Sequence, residues 1–482
     1  MTSIGAMELA EYSRLDGLAL AGHVADQSVT PQELAALALA AADRVNETLG
    51  AVIETWPEPA QAAPAVGDGP FTGVPIMLKD LFHSAAGRTC ENGSRLTAGL
   101  PSGGAEETLA RLRRAGFIDV GRTTTSEFGI LGSTQTLASG PTCTPWSADH
   151  IAGGSSGGSG AAVGAGIVPV ATASDGGGSI RIPAACCGVV GLKPTRGRVT
   201  FGPGTGDPLS GWAVKFVITR SVRDAAATLD AIAGPLAGDP SVAPSPTVPF
   251  LEGIAAAAPL RIAFCHESWS GRAVHPEVAA ACGATAELLS ALGHEVEPAV
   301  PPFAWEPFLE AMTAIWSADT AYTIDGIAAF IGREPGRETL EGPTLAMLEH
   351  GRTISAQELL DAHAHVNVLS REMGAFFTGF DVLLTPTLGT LPWRLGVYDP
   401  HADLAPRELF DTWSELECFL PAFNATGQPA ISLPLHQSTD GLPIGMQLVG
   451  RFGDEPTLLS LAAELEAALP WADRLPPIHA AQ

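Results

Sequence analysis

Residues 260–296 read LRIAFCHESWSGRAVHPEVAAACGATAELLSALGHEV. Leu260 to Phe264 is a short apolar run of strand type. Pro276 to Leu292 is rich in Ala and Leu and predicts a helix, and Gly293 to Val296 turns into a second strand. Strand, helix and strand in that order is a βαβ-type signal, and it favours a sheet covered by helices.

The flanking sequence extends this pattern. Thr30-Pro31-Gln32-Glu33 has the form of a capping box with proline at the first helical position. It opens a helix to about Asn46, with Leu34, Leu37, Ala41 and Val45 on one face. A Pro/Ala-rich loop, Trp56 to Pro70, leads into Val74 to Asp80, a short strand of the buried kind. From Ala152 to Gly204 the chain is dominated by Gly, Ser and other small residues. Pro302 to Thr378 reads as mainly helical, and Phe380 to Leu384 is an apolar run ending at Thr385-Pro386. Ala430 to Leu435 and Ile444 to Val449 flank the turn signal Asp440-Gly441 and predict paired strands. A last helix carries Leu458, Leu461, Ala462, Leu465 and Leu469 at helical spacing.

Composition removes several classes. Lys and Arg number 26 against 52 Asp and Glu, a net charge of −26. A phosphate-backbone binder needs a basic footprint, so no nucleic-acid partner is expected. Hydrophobic residues at 46% and charged residues at 16% suit a sizeable core and exclude a disordered chain. Seven cysteines, an odd number with no CxxC pair, argue against a disulfide framework and a cysteine zinc site. Cys186 and Cys187 sit in an apolar run and read as buried. The opening MTSIGAMELAEY lacks the basic region of a signal peptide. Ala161 to Ser174 is broken by Gly164, Gly166 and Pro169, too short to span a bilayer. The expectation is a cytoplasmic protein with no membrane partner.

Only three of the 26 basic residues are lysines: Lys79, Lys193 and Lys215. A lysine kept in an arginine-rich chain marks either a position that needs an amine or a survivor of codon bias. Burial can make a lysine neutral, whereas arginine stays charged.

Three segments carry chemistry. Gly153-Gly154-Ser155-Ser156-Gly157-Gly158-Ser159-Gly160 reads either as a flexible linker or as a close-approach loop bearing hydroxyls. It also matches G-x-S-x-G at Ser155 and at Ser156, but the preceding Ser147 to Ala152 is a poor strand for a nucleophile elbow. Asp175-Gly176-Gly177-Gly178-Ser179-Ile180-Arg181-Ile182-Pro183 reads either as a tight glycine turn or as a nest of N–H groups with Ser179 at its end. Lys79, after the apolar Val74 to Leu78, is either half of a surface pair with Asp80 or a buried amine with a depressed pKa, able to act as a base.

Taken together and in order, these segments resemble the amidase signature family, whose members hydrolyse amides with a Ser–Ser–Lys triad. The resemblance runs from Lys79-Asp80 through residues 153–159 and 175–184 into Cys187 to Thr195. It continues with Asp381 to Thr387 and Gly441 to Gly445, and so covers most of the chain. It implies an α/β fold built on a large, mostly parallel or mixed, twisted sheet with helices on both faces. One domain over 1–482 is expected, with a signature core at about 70–220 and a variable helical pocket region at about 300–415. By the same resemblance Ser179 is the acylated nucleophile, Ser155 the bridging serine held through a cis peptide bond, and Lys79 the base. The N–H groups of Gly176, Gly177, Gly178 and Ser179 form the oxyanion hole, Arg181 makes a structural ion pair, and Gly129 lines the acyl pocket. No metal or cofactor is implied. The partner is a small-molecule amide, and the homodimer many relatives form stays open.

Within the family, glutaminase subunits of tRNA-dependent amidotransferases usually read Thr-Gly-Gly-Ser-Ile-Arg-Gln. Here Gly176 and Ile182 replace the first and last of those residues. The C-terminal motifs look more like stand-alone amidases, aryl acylamidases and 6-aminohexanoate-cyclic-dimer hydrolases. Trp305, Trp316, Trp393 and Trp413 fall in the expected pocket region and point to an apolar, aryl or cyclic amide. The alternatives are the glutaminase subunit and a Ser–His–Asp esterase that would need a histidine and no Lys79.

Overall fold

The computed structural model describes residues 7–61, 68–104, 106–254 and 258–482. The start of the MTSIGAMELAEY stretch (1–6) and part of the Trp56 to Pro70 loop (62–67) lie outside the described residues. Eleven strands form one sheet: β1 (Val52–Thr55), β2 (Pro75–Lys79), β3 (Ile118–Thr123), β4 (Val170–Asp175), β5 (Val190–Lys193), β6 (Val214–Thr219), β7 (Arg261–Phe264), β8 (Glu295–Pro298), β9 (Val382–Pro386), β10 (Ala430–Gln437) and β11 (Pro443–Gly450). Their spatial order is β1-β3-β2-β4-β6-β5-β10-β11-β9-β7-β8. The sheet is mixed. The parallel pairs β3/β2, β2/β4, β9/β7 and β7/β8 lie toward its two ends, and an antiparallel run fills the middle.

The stretch that opened the sequence reading becomes β7 and β8, paired in parallel with Ile262 opposite Val296. The helix between them bears Val278, Cys282 and Leu289 inward. Every residue of β2, β4, β6, β9 and β11 is buried, the mark of strands covered on both faces. The outer strand β8 exposes Glu295 and Glu297, whose charges blunt the sheet edge.

The principal helices are α1 (Pro31–Leu49), α2 (Gly157–Gly164), α3 (Arg181–Cys187), α4 (Pro276–Ala291), α5 (Trp305–Ile331), α6 (Gly342–Gly351), α7 (Ala356–Gly379) and α8 (Glu455–Ala468). The capping box at α1 forms as read. Thr30 Oγ1 accepts from the Glu33 N–H at 3.2 Å, and the Glu33 carboxylate accepts from the Thr30 N–H at 2.8 Å. The helix runs beyond Asn46 because nothing stops it before Gly50, which takes the left-handed conformation at φ 59°. The Asp440-Gly441 turn joins β10 to β11 as an antiparallel pair. None of the helices among the described residues is long and apolar enough to cross a membrane.

One segment departs from the sequence reading. Ser147–Ile151 does form a strand, but it pairs with Cys143–Thr144 in a separate two-stranded ribbon. Its polar residues suit that half-exposed place. No main-sheet strand therefore runs straight into the serine-rich loop, as a nucleophile elbow requires.

Candidate active site

β2 and β4 are parallel neighbours, so their carboxyl ends lie side by side. In open α/β sheets that end of the strands is where ligands bind. β2 finishes at Lys79, and β4 finishes at Ser174-Asp175 and turns through the three glycines to Ser179 and α3. The serine-rich loop enters the same space ahead of α2.

Lys79 is fully buried, and its Nζ lies 2.7 Å from Ser155 Oγ and 2.8 Å from Ser174 Oγ. Burial disfavours the ammonium and brings the amine down to about 7, while the Asp175 carboxylate opposes the drop. Asp80 does not reach Lys79. Its carboxylate accepts from Arg122 at 2.6 Å and from the N–H groups of Glu91 and Gly93 at 2.7 and 3.1 Å. The surface-pair reading of Lys79-Asp80 is thereby replaced by a buried amine and a separate Asp80–Arg122 pair.

Ser155 follows a cis Gly154–Ser155 peptide bond. Its carbonyl accepts from the Ser126 N–H at 3.1 Å and from the Thr134 hydroxyl at 3.2 Å. The neighbouring Ser156 ties the loop to β4: its hydroxyl donates to the Ser174 carbonyl at 3.3 Å, and its N–H donates to the Ser179 carbonyl at 3.3 Å. The serine-rich loop is thus pinned from three sides and is no linker.

Asp175 organises the glycine turn. Arg181 meets its carboxylate with two bonds of 3.0 Å, Asn424 Nδ2 donates at 2.8 Å, and the N–H groups of Gly178 and Ile180 donate at 2.8 and 3.1 Å. Burial alone would raise its pKa, but Arg181 and the donated hydrogen bonds outweigh it and hold the group at about 2. Arg181 also donates to Gln447 Oε1 at 2.7 Å and to Asn424 Oδ1 at 2.6 Å, so the ion pair read from the sequence is the hub of a saturated network.

Gly178, read as an oxyanion donor, gives its N–H to Asp175. Among the described residues the N–H groups of Gly176, Gly177 and Ser179 donate to no protein acceptor. Gly178 sits at φ 139°, and a Cβ there would come within 2.7 Å of Leu420 Cδ1. Only glycine makes this turn without moving its neighbours.

A cavity of about 610 Å³ opens onto these groups and is lined by Gly129, Ser155, Ser174, Gly176 and Ser179. Gly129 lies beside Ser155: a Cβ on it would stand 3.4 Å from Ser155 Oγ. The two serines share the cavity, and among the described residues Ser179 Oγ makes no hydrogen bond to Ser155. Hydrogen bonds of this kind commonly tighten only with substrate bound. No histidine lines the cavity among the described residues. His83 lies nearby, 3.3 Å from the Ala173 carbonyl, and burial lowers it to about 4.

Of the four tryptophans read into the pocket, Trp316 lines the cavity and three do not. Trp305 packs among Phe303 and Phe308, while Trp393 and Trp413 lie against each other with ring centroids 4.9 Å apart. Large aromatic faces were claimed by helix packing. Ser156 was read only as the centre of a G-x-S-x-G match, and the structural parts of Ser174 and Asn424 went unread. Ser174, next to the Asp-Gly-Gly-Gly run, was the one with a signal in the sequence.

Comparison with known proteins identifies the family. A family model described as Amidase matches residues 33–459. A 6-aminohexanoate-cyclic-dimer hydrolase of Paenarthrobacter ureafaciens is 36% identical over 475 residues, covering 96% of each chain. A solved 6-aminohexanoate cyclic dimer hydrolase complexed with substrate superposes with a TM-score of 0.92 at 35% identity, over 97% of this chain and 99% of that one. A bacterial aryl acylamidase of the amidase signature family gives a TM-score of 0.84 at 25% identity, over 98% of both chains. With two serines and a glycine turn at one cavity, a buried lysine bonded to one of those serines, and a family match over most of its length, the chain belongs to the amidase family.

Proposed function

We propose that this amidase works through Lys79, Ser155 and Ser179 and acts on apolar, aryl or cyclic amides. The chain is a hydrolase of carboxylic amide C–N bonds. One observation carries the mechanistic reading: a buried amine, held near neutrality, lies 2.7 Å from a serine hydroxyl at the wall of a cavity that a second serine shares.

Neutral Lys79 takes the proton of Ser155, and Ser155 takes that of Ser179. Ser179 Oγ bonds to the amide carbon, and the carbonyl oxygen becomes an oxyanion facing the N–H groups of Gly176, Gly177 and Ser179. The C–N bond then breaks as the proton returns through Ser155 to the departing nitrogen. Water attacks the acyl-serine, its proton passes by the same route, and the acid leaves with Ser179 restored. A base whose pKa lies near the working pH suits proton transfer in both directions. Each oxyanion donor contributes on the order of 10²–10³ in rate, the reason a side-chain-free turn is useful there. Gly129 holds the acyl pocket open beside Ser155.

Leu81, Phe128, Ile130, Leu209 and Trp316 line the cavity and support an apolar substrate. The relatives named for a cyclic amide dimer and for aryl amides point the same way. Seven cysteines, all buried and unpaired, support a reducing, cytoplasmic location.

The test is hydrolysis of an anilide panel by wild type, Lys79→Ala and Ser179→Ala, with intact-mass detection of the acyl-enzyme. Both variants are expected to lose at least about a thousandfold in kcat/KM, since residues of one nucleophilic unit fail together. The adduct is expected on Ser179. Near-full activity in Lys79→Ala would overturn the mechanism, and turnover of glutamine alone would overturn the substrate class.

A further inference from the structure

Three carboxylates, Asp175, Asp207 and Asp319, line the main cavity, and among the described residues no lysine, arginine or histidine does. They are not equivalent. Asp175 is saturated by Arg181 and Asn424. Asp207 accepts from the Ser241 hydroxyl and is offset by Arg196. Asp319 accepts only the Leu209 N–H, at 3.1 Å, and among the described residues makes no ion pair. Burial holds its carboxyl above the ordinary range, and the Leu209 N–H is the one influence opposing that rise.

Its place relative to the glycine turn follows from packing. A Cβ on Gly176 would stand 3.1 Å from Leu209 Cδ2 and 3.4 Å from the Trp316 ring, so these two side chains cover the turn. Asp319 bonds to the first of them and lies three residues after the second on α5. Three residues advance about 4.5 Å along a helix and stay on nearly the same face. Tyr322, three residues further, also lines the cavity and is 83% exposed, which marks the mouth. Along α5 the cavity therefore passes from an apolar indole over the turn, past one uncompensated carboxylate, to solvent.

We propose that Asp319 is a specificity-determining residue that selects amides carrying a protonated amine, its carboxylate accepting from the ammonium while the scissile carbonyl lies over the Gly176–Ser179 turn. The substrate class is an amide with an aliphatic spacer long enough to reach one helical turn beyond Trp316. This rests on the serine reading above for the position of the carbonyl. Asp319 takes no part in bond making.

The experiment compares matched pairs in about 1 M NaCl, where the long-range field of the acidic chain is screened: ω-aminoacyl para-nitroanilides and N-(ω-aminoalkyl) amides, each beside the isostere in which methyl replaces ammonium. Wild type is expected to favour the charged member of at least one pair by about tenfold in kcat/KM, the worth of one charge-assisted hydrogen bond. In Asp319→Asn, which keeps an acceptor for the Leu209 N–H, the ratio is expected to collapse toward one, and Asp319→Glu is expected to restore most of it. No preference in either pair, or a preference that survives Asp319→Asn, would overturn the proposal. The same pairs are titrated by calorimetry against Ser179→Ala and the Ser179→Ala, Asp319→Asn double variant. There the charged member is expected to bind about tenfold tighter to the first only, and equal affinities or absent binding would overturn the proposal. A Ser179→Ala variant that still turns over anilides would sink the serine reading, and the charge comparison would still be read from binding.

Discussion

At the residue scale, all three lysines of the chain end in the interior, with exposures of 0%, 0% and 2% for Lys79, Lys193 and Lys215. Scarcity in the sequence thus marked burial, and contacts distinguish the roles. Lys215 donates to Glu106 at 2.6 Å, an ion pair; Lys193 donates to the Pro194 carbonyl at 3.0 Å. Lys79 alone meets serine hydroxyls. Its depressed pKa sets a direction: below about 7 the amine is protonated and cannot accept from Ser155, so kcat/KM is expected to rise as pH passes upward through about 7 and then level. Lys79→Arg, whose guanidinium stays charged, is expected to be inactive across that range. A pH–rate profile of wild type checks the first, and a profile that is flat from pH 5 to 9 would remove Lys79 as the base. The same shift affects stability. The unfolded lysine keeps its proton up to about 10.4 and the buried one does not, so this group makes stability rise from about pH 7 toward 10.

At the element scale, the Asp175–Arg181 pair joins the end of β4 to α3, and through Asn424 and Gln447 reaches the segment before β10 and β11 itself. Removing one partner from a buried pair leaves an uncompensated charge and costs about 3–5 kcal/mol. Arg181→Met is expected to lower the unfolding free energy measured in urea by that order and to abolish acyl-enzyme formation by releasing the glycine turn. Thr30→Ala, which removes only the cap of α1, costs about 1 kcal/mol and is expected to leave the turn alone. Equal losses in the two variants would contradict the role given to the network. These two sites also mark what was legible in the sequence. The α1 cap, the β7–α4–β8 unit and the β10–β11 hairpin are local, and the chain spells them out in caps, periodicity and turn residues. Lys79, Ser155 and Ser179 were singled out by the resemblance to the amidase signature family, since each segment taken alone left a plain structural reading open. The cavity wall was not. Which face of the 27-residue α5 meets the turn depends on how the helix crosses the sheet, so Asp319 carries no local signal, and of the four tryptophans read into the pocket Trp316 lines the cavity while Trp305, Trp393 and Trp413 do not.

At the scale of the whole molecule, the net charge of −26 resides mostly on the surface. Four of the buried cations are matched inside, Arg122 by Asp80, Arg181 by Asp175, Arg198 by Glu455 and Lys215 by Glu106. Surface repulsion of this size destabilises the compact state and is screened by salt, the Debye length falling from about 30 Å at 0.01 M to about 3 Å at 1 M. Exposed pairs such as Arg352–Asp325 and Arg337–Asp403 weaken under the same screening, but each is worth at most about 1 kcal/mol. Tm is therefore expected to rise with NaCl, and a scanning fluorimetry series in NaCl, free of the surface exclusion that sulfate adds, reads the sign. A falling Tm would mean that the exposed pairs outweigh the repulsion. The same field draws cations toward the cavity, so kcat/KM for an ammonium-bearing amide is expected to fall with NaCl while that of its methyl isostere holds. The two sources of preference separate by variant. Salt removes the long-range part in wild type and Asp319→Asn alike, whereas the part lost in Asp319→Asn at high salt belongs to the carboxylate beside Leu209.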